Sequence, residues 1–304
     1  MLLCTIYTLF ILFINRSFNM AKSKSNPLAG FYRAPKLYTA IPTGGKYYDE
    51  DIIDWPDTNE LPIFPMTAKD EMIMKNPDAL LNGEAVAQVI KSCVPCVKDP
   101  RKMVSNDVDT LLIAINGATY GDEVNVSAKC PECETDNSGA ASVQTSLDNM
   151  VMVKDDYEVN TDQGLKITVK PFLYESTIQA GLANFKTTRS LQALQEVEDE
   201  LEQLKAFNEN FMSIAGLNFD LICNSVNSIS GTDADGEEFI VTDNKSIREF
   251  MENCDAAIGS AVEKRIGDIN ELGISKDYQL ECENCGHVFK TTIAFDPVNF
   301  STAS

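Results

Sequence analysis

The strongest constraint on what this chain can fold into is a pair of short cysteine motifs, Cys130-Pro131-Glu132-Cys133 and Cys282-Glu283-Asn284-Cys285. Two residues between cysteines let one tight turn aim both sulfurs at one point. Two such turns complete a tetrahedron, the geometry Zn²⁺ takes in closed structural sites. Each motif sits where a strand-like run breaks. Glu123 to Val126 precedes the first; Tyr278 to Glu281 precedes the second, and Val288 to Ile293 follows it. Their separation of about 150 residues exceeds that of a compact zinc ribbon, so the ribbon is expected to be split, clamping the intervening chain as an insert. Disulfides are disfavoured because no convincing secretory context exists, and a thioredoxin-type pair needs a βαβ setting that neither motif has. Cys130, Cys133, Cys282 and Cys285 are therefore the candidate ligands of a structural Zn²⁺. Four thiolates fill the shell and leave no open position for a catalytic water, so the site argues for architecture and not for chemistry.

The remaining cysteines read differently. Cys93-Val94-Pro95-Cys96 follows a helical stretch with no strand entering it, and buried free thiols are expected there. Cys223 lies in an apolar run and Cys254 near a helix end; both read as structural. His287, the only histidine, follows the second motif directly and is a weaker candidate ligand than the cysteines.

A net charge of −21 narrows the function classes. A phosphate-binding surface needs Lys and Arg to displace counterions, so the alternative of a zinc-ribbon nucleic-acid-binding protein is disfavoured and no nucleic acid is expected as partner. A protein that docks on other proteins fits better. Residues 1–19 look foreign to the rest. Leu2 to Ile14 is apolar but shorter than the roughly 20 residues of a spanning helix. Arg16 comes after that run, and no small-residue cleavage site follows. The expectation is a start-site extension, with translation beginning at Met20 and no membrane expected; a membrane anchor is the alternative.

Periodicity sketches an α+β fold: a helical domain with short β-hairpins and the split zinc-ribbon-like clamp. Residues 20–60, rich in Pro, Gly and Tyr, suggest an extended N-terminal arm. In it Leu37 to Ile41 and Lys46 to Tyr48 pair as a hairpin across Pro42-Thr43-Gly44-Gly45, and the aromatics suit an interface with neighbours. Residues 61–128 form a helical region. It opens on the short strand Leu61 to Met66 and holds a Thr67/Asp70 helix start, a helix from Gly83 to Ser92, and another over Asp107 to Ile115 with Val108, Leu111, Leu112 and Ile115 on one face. Residues 129–150 and 276–304 are the clamp. Residues 151–275 are an α+β insert with a strand at Leu165 to Val169, a long acidic helical stretch from Glu175 to about Gly216, and a hairpin, Val226 to Ile229 with Phe239 to Val241. Helices over Ser246 to Asn253 and Ala256 to Leu272 complete it, with Gly273 as cap. In the long stretch Leu194, Val197, Leu201, Leu204 and Phe211 follow a 3–4 spacing over fewer than three heptads, so packing on its own domain is expected rather than an intermolecular coil.

Catalysis is poorly supported. One histidine leaves none for a triad away from the metal motif, and no nucleophile elbow or dinucleotide glycine fingerprint occurs. The acidic hairpin tip, Gly231 to Glu237, lacks the ligand spacing of a calcium loop, and Gly44-Gly45-Lys46 lacks the earlier glycine of a phosphate loop.

The wording from Asn26 to Tyr120 carries a resemblance. It includes Tyr38-Thr39-Ala40-Ile41-Pro42-Thr43-Gly44-Gly45, Leu61-Pro62-Ile63-Phe64-Pro65-Met66-Thr67-Ala68-Lys69-Asp70-Glu71, Asn76-Pro77-Asp78-Ala79-Leu80-Leu81-Asn82-Gly83, Ser92-Cys93-Val94-Pro95 and the Asp107 to Ile115 run, leading to the Cys130 motif. This resembles the baseplate hub family of T-even-type contractile-tailed bacteriophages, over about 110 residues and, in pattern, through the second cysteine motif. The resemblance implies a non-catalytic structural or assembly protein of the tail baseplate. It implies other baseplate hub and wedge proteins as partners, no small-molecule substrate, and a location in the virion tail baseplate after assembly in the host cytoplasm. Cys96 and residues 1–19 lie outside the pattern.

Overall fold

The computed structural model describes residues 26–153, 157–194, 200–233, 235–275 and 277–292. The expected start-site extension, Val197 of the long helix, Ala234 of the acidic tip and the last part of the clamp fall outside these residues. Among the described residues, 26–34 belong to one unit and those from Pro35 onward to another. In the first, Pro27–Phe31 is a single 3₁₀ turn. Its Asn26 cap accepts from the Leu28 N–H and donates to Tyr32 Oη at 2.9 Å. Leu28, Phe31 and Tyr32 are exposed.

The second unit is α+β, with a helical core, a sheet-based insert and two cysteine-bearing hairpins. The helical core starts with strand β1 (Leu37–Thr39), which pairs antiparallel with β2 (Leu61–Ile63). Helices α1 (Ala68–Met74), α2 (Pro77–Leu81), α3 (Glu84–Cys93), α4 (Ser105–Tyr120) and the short α5 (Val143–Asp148) follow. Thr67 starts α1 through a capping box with Asp70, and Asn76 caps α2 ahead of Pro77, as residues with those acceptors do. Around α4 the expected face of Val108, Leu111, Leu112 and Ile115 is buried, but so are Ile113, Ala114 and Thr110. A helix apolar on every side belongs in the middle, and α4 is the axis of this core.

Two expectations are corrected here. Lys46 to Tyr48 is not a strand; residues 42–47 are successive turns, and the partner of β1 lies more than twenty residues on. Nor is the segment from 37 to 55 an extended arm. Ile41 and Ile53 are fully buried, and Tyr48 and Trp55 pack on the core. The reason is a buried carboxylate. Asp107, in the first turn of α4, accepts from Thr43 N at 3.0 Å, Thr43 Oγ1 at 2.5 Å and Tyr48 Oη at 2.5 Å. Tyr48 Oη in turn accepts from Val104 N. A buried carboxylate must be hydrogen-bonded, and these turns supply the donors.

The insert has its own core. Strands β5 (Tyr157–Asn160), β6 (Lys166–Val169), β7 (Val226–Thr232) and β8 (Glu238–Val241) form an antiparallel sheet in that order. Helices α8 (Asn244–Asn253) and α9 (Ala256–Asn270) cover it, burying Ile167, Val169, Ile229, Ile247, Val262, Ile266 and Ile269 together. Asn106 on α4 ties insert to core: its Nδ2 donates to the carbonyls of Ile269, Asn270 and Leu272, the last at 2.6 Å. Arg101 adds an ion pair to Glu175, at 2.5 Å, beside Glu84.

Between β6 and β7 the chain makes a long antiparallel pair, α6 (Tyr174–Leu194) and α7 (Glu200–Ser225). Their facing residues are mostly small or polar, including Ala183, Thr187 and Ser190 opposite Asn210 and Ser213, with Leu182 and Leu217 among them; Asn210 Nδ2 donates to Ser190 Oγ at 3.2 Å. The 3–4 apolar stripe does not pack on its own domain as expected, since Leu204 and Phe211 of α7 are exposed. Periodicity identified the helix face, but not what would cover it. Among the described residues no helix is long and apolar enough to cross a membrane.

Candidate metal centre

Two hairpins build the site. Strands β3 (Glu123–Lys129) and β4 (Asp136–Ser142) flank Cys130 and Cys133; β9 (Asp277–Glu281) and β10 (Val288–Thr292) flank Cys282 and Cys285. The two turns have the same backbone bonding. Cys130 N donates to Thr135 O and Glu134 N to Cys130 O; Cys282 N donates to His287 O and Gly286 N to Cys282 O, all at 2.8–2.9 Å. In both, the residue after the second cysteine adopts positive φ: 56° at Glu134 and 69° at Gly286. Glycine takes that conformation freely and glutamate does not.

The hairpins meet face to face because β4 carries Gly139. A Cβ there would lie 2.8 Å from Leu280 Cδ2, so only glycine allows the approach without a shift. Tyr278 Oη donates to Ala140 O at 2.7 Å across the same contact. Asn137, buried on β4, links the turns: its Nδ2 donates to Thr135 O at 2.7 Å and its Oδ1 accepts from Glu283 N at 3.0 Å. Neither Asn137 nor Gly139 stood out in the sequence. Both lie in a polar, small-residue strand whose partner hairpin is far away in the chain.

The result brings all four expected cysteines together. Their sulfurs lie within 4.8 Å of one another. Cys130 Sγ is 3.7 Å from Cys285 Sγ, and Cys133 Sγ is 3.5 Å from Cys282 Sγ. A tetrahedral ZnS₄ centre with bonds of about 2.3 Å has edges of about 3.8 Å, so the donor set fits a metal ion of that size. Cys130 and Cys282 are buried, Cys133 is half-buried and Cys285 is exposed. The Thr135 hydroxyl and backbone N–H hold the Cys133 thiol down at about 6, and backbone N–H groups of Cys285 and Asn284 lower Cys282. Donors aimed at these two sulfurs favour the thiolate, the form that binds metal, whereas at Cys285 the lowering bond from the His287 N–H is outweighed by the neighbouring thiols, which push it up to about 12. The His287 ring stacks on Phe289, with centroids 6.2 Å apart, rather than joining the four sulfurs.

The other described cysteines stay apart from this cluster. Cys93 and Cys223 are buried in the helical and insert cores, and Cys96 and Cys254 are half-buried. Burial raises the thiol pKa of Cys96, Cys223 and Cys254, which suits inert packing residues. A residue that sequence reasoning passed over is Asp107. Burial pushes its carboxyl up to about 6 despite the opposing hydrogen bonds from Thr43 and Tyr48. Its only sequence signal is a carboxylate inside the most apolar helix.

No curated protein and no solved structure matches the chain. A family model described as "T4 bacteriophage base plate protein" matches residues 47–300, a span that takes in the helical core, the insert and both cysteine turns. With most of its length inside that match, the chain belongs to the T4-type phage baseplate family.

Proposed function

We propose that the protein is a non-catalytic structural or assembly component of the hub of the tail baseplate, stabilised by one Zn²⁺ held by Cys130, Cys133, Cys282 and Cys285. The family match through both cysteine turns carries this reading. The thiol cluster supports the metal, and four thiolates would complete the ion's shell without a position for reacting water. The partners on this reading are hub and wedge subunits, met in the host cytoplasm and retained at, or released from, the virion tail baseplate. Residues 129–150 and 276–304 would act as the clamp and 151–275 as its insert, with residues 35–60 counted with the helical region of 61–128.

Two measurements test it separately. Protein chemistry on purified virions and on baseplate assembly intermediates should recover the chain with hub subunits; its absence from both would overturn the hub role. Metal analysis after reducing, chelator-free purification should give one zinc per chain. A metal-free, fully folded protein would remove the zinc and leave the baseplate role standing.

A further inference from the structure

The α6–α7 pair is built inside out. Its seam sets only Leu182 and Leu217 among small, polar and charged side chains and leaves a crevice of about 600 Å³ between the helices. Meanwhile Leu204, Phe207 and Phe211 of α7 are 58%, 51% and 62% exposed, and Met212 beside them 68%. With half-buried Ile214, the positions 204, 207, 211 and 214 advance by 3, 4 and 3, the spacing that keeps a stripe against a second helix. Apolar side chains of this size, each about half to two-thirds bare, leave an apolar patch of roughly 400–500 Å², the size of the largest patch on a typical monomer, which is often functional.

We propose that this stripe docks one amphipathic helix of a different protein, apolar along one side and flanked by Lys and Arg. The stripe is one helix wide and smaller than the roughly 800 Å² per partner of a standard protein–protein interface, which suits a helix laid in a groove. Asn208 and Asn210, which border the stripe on α7, carry no charge, so the field of the whole chain decides the sign of the partner. At −21 that field repels a second copy and draws in a basic helix. The inference does not rest on the metal or on the hub role.

The test uses the full chain and two synthetic helical peptides with identical leucine heptads, one with Lys and one with Glu at the flanking positions. Fluorescence anisotropy should show the Lys peptide binding about ten-fold or more tighter than the Glu peptide at physiological salt. Binding should fall by about ten-fold or more in a Phe207→Ser, Phe211→Ser variant, and also with Leu204→Ser alone. Ile240→Ser, at an exposed site on β8, should leave it unchanged. Equal binding of the two peptides, no binding of either, or full binding by the stripe variants would overturn the proposal. So would sedimentation showing a wild-type dimer that the stripe variants convert to monomers, which would assign the stripe to a second copy.

Discussion

The helical core and the thiol clamp are held together by different means. Around α4, some two dozen side chains are buried in one cluster, from Ile41 and Ile53 through Val86, Ile90 and Leu111 to Ile274. The clamp buries Cys130, Leu280, Cys282 and Phe289, with Val126 and Ala141 in a smaller cluster next to them. A core that small seldom stabilises a fold alone, and proteins of this kind add a metal or a disulfide. The comparison teaches where each region is vulnerable. The core depends on burial and on a satisfied carboxylate; on the proposed reading the clamp depends on the metal ion that its four sulfurs would hold.

The largest effect should come from removing that support. Structural zinc contributes on the order of 10–16 kcal/mol of apparent binding energy in small peptides, coupled to folding. A Cys130→Ala, Cys282→Ala protein should bind no zinc and lose amide-exchange protection in β3, β4, β9 and β10, while α4 keeps its own. If α4 loses protection to the same degree, the two regions are one cooperative unit and the contrast fails.

The second prediction concerns the core. Asp107 ionises at about 6 in the fold and at about 3.9 unfolded. Its folded pKa is the higher, so its contribution is fully present below about pH 4 and is lost as pH rises through about 6. The loss is on the order of 3 kcal/mol. Urea unfolding across pH 4–7 should show this fall, and Asp107→Asn should flatten it. An unchanged slope in the variant would assign the pH dependence elsewhere.

A smaller effect is expected at Asn137, which bridges the two turns. Asn137→Ala should remove both bonds that the buried amide makes between the turns, to Thr135 O and from Glu283 N–H, and cost about 1–2 kcal/mol in the clamp. Zinc transfer to a chromophoric chelator should speed up, with the pH profile of the core unmoved. The smallest effects test the equivalence of the turns. Glu134→Gly should stabilise the clamp by about 1 kcal/mol, and Gly286→Ala should destabilise it by about 1–2 kcal/mol, because both positions have positive φ. Thermal unfolding that responds with the same sign to both changes would contradict the shared geometry.

Local signals were readable and distant pairings were not. The spacing of Cys130/Cys133 and Cys282/Cys285 identified the cluster, since two-residue gaps fix the turn whatever surrounds it. The Thr67/Asp70 cap, the α4 stripe, the β7–β8 hairpin and the paired final helices followed from patterns spanning a few residues. The partner of β1 was misread because Pro42-Thr43-Gly44-Gly45 looks like a hairpin turn. Only the burial of Asp107, more than sixty residues away, explains why that chain folds into turns instead. The outward stripe of α7 was equally hidden: 3–4 spacing shows that a face is apolar, and nothing in it says which surface is opposite. Gly139 and Asn137 acquire meaning only once the two hairpins touch.

The distance along the chain between the two turns has a consequence for the unfolded protein. Cys133 and Cys282 are 149 positions apart. A metal ion that stayed on both would act on the disordered chain as a covalent staple does, removing the conformations in which the ends of that loop drift apart. For a loop of this length the chain-entropy relation gives about 5 kcal/mol. The same relation is logarithmic, so doubling the loop adds only about 0.6 kcal/mol. An insert fastened at its base can therefore lengthen, shorten or acquire a projecting helical pair with little change in the foundation that carries it.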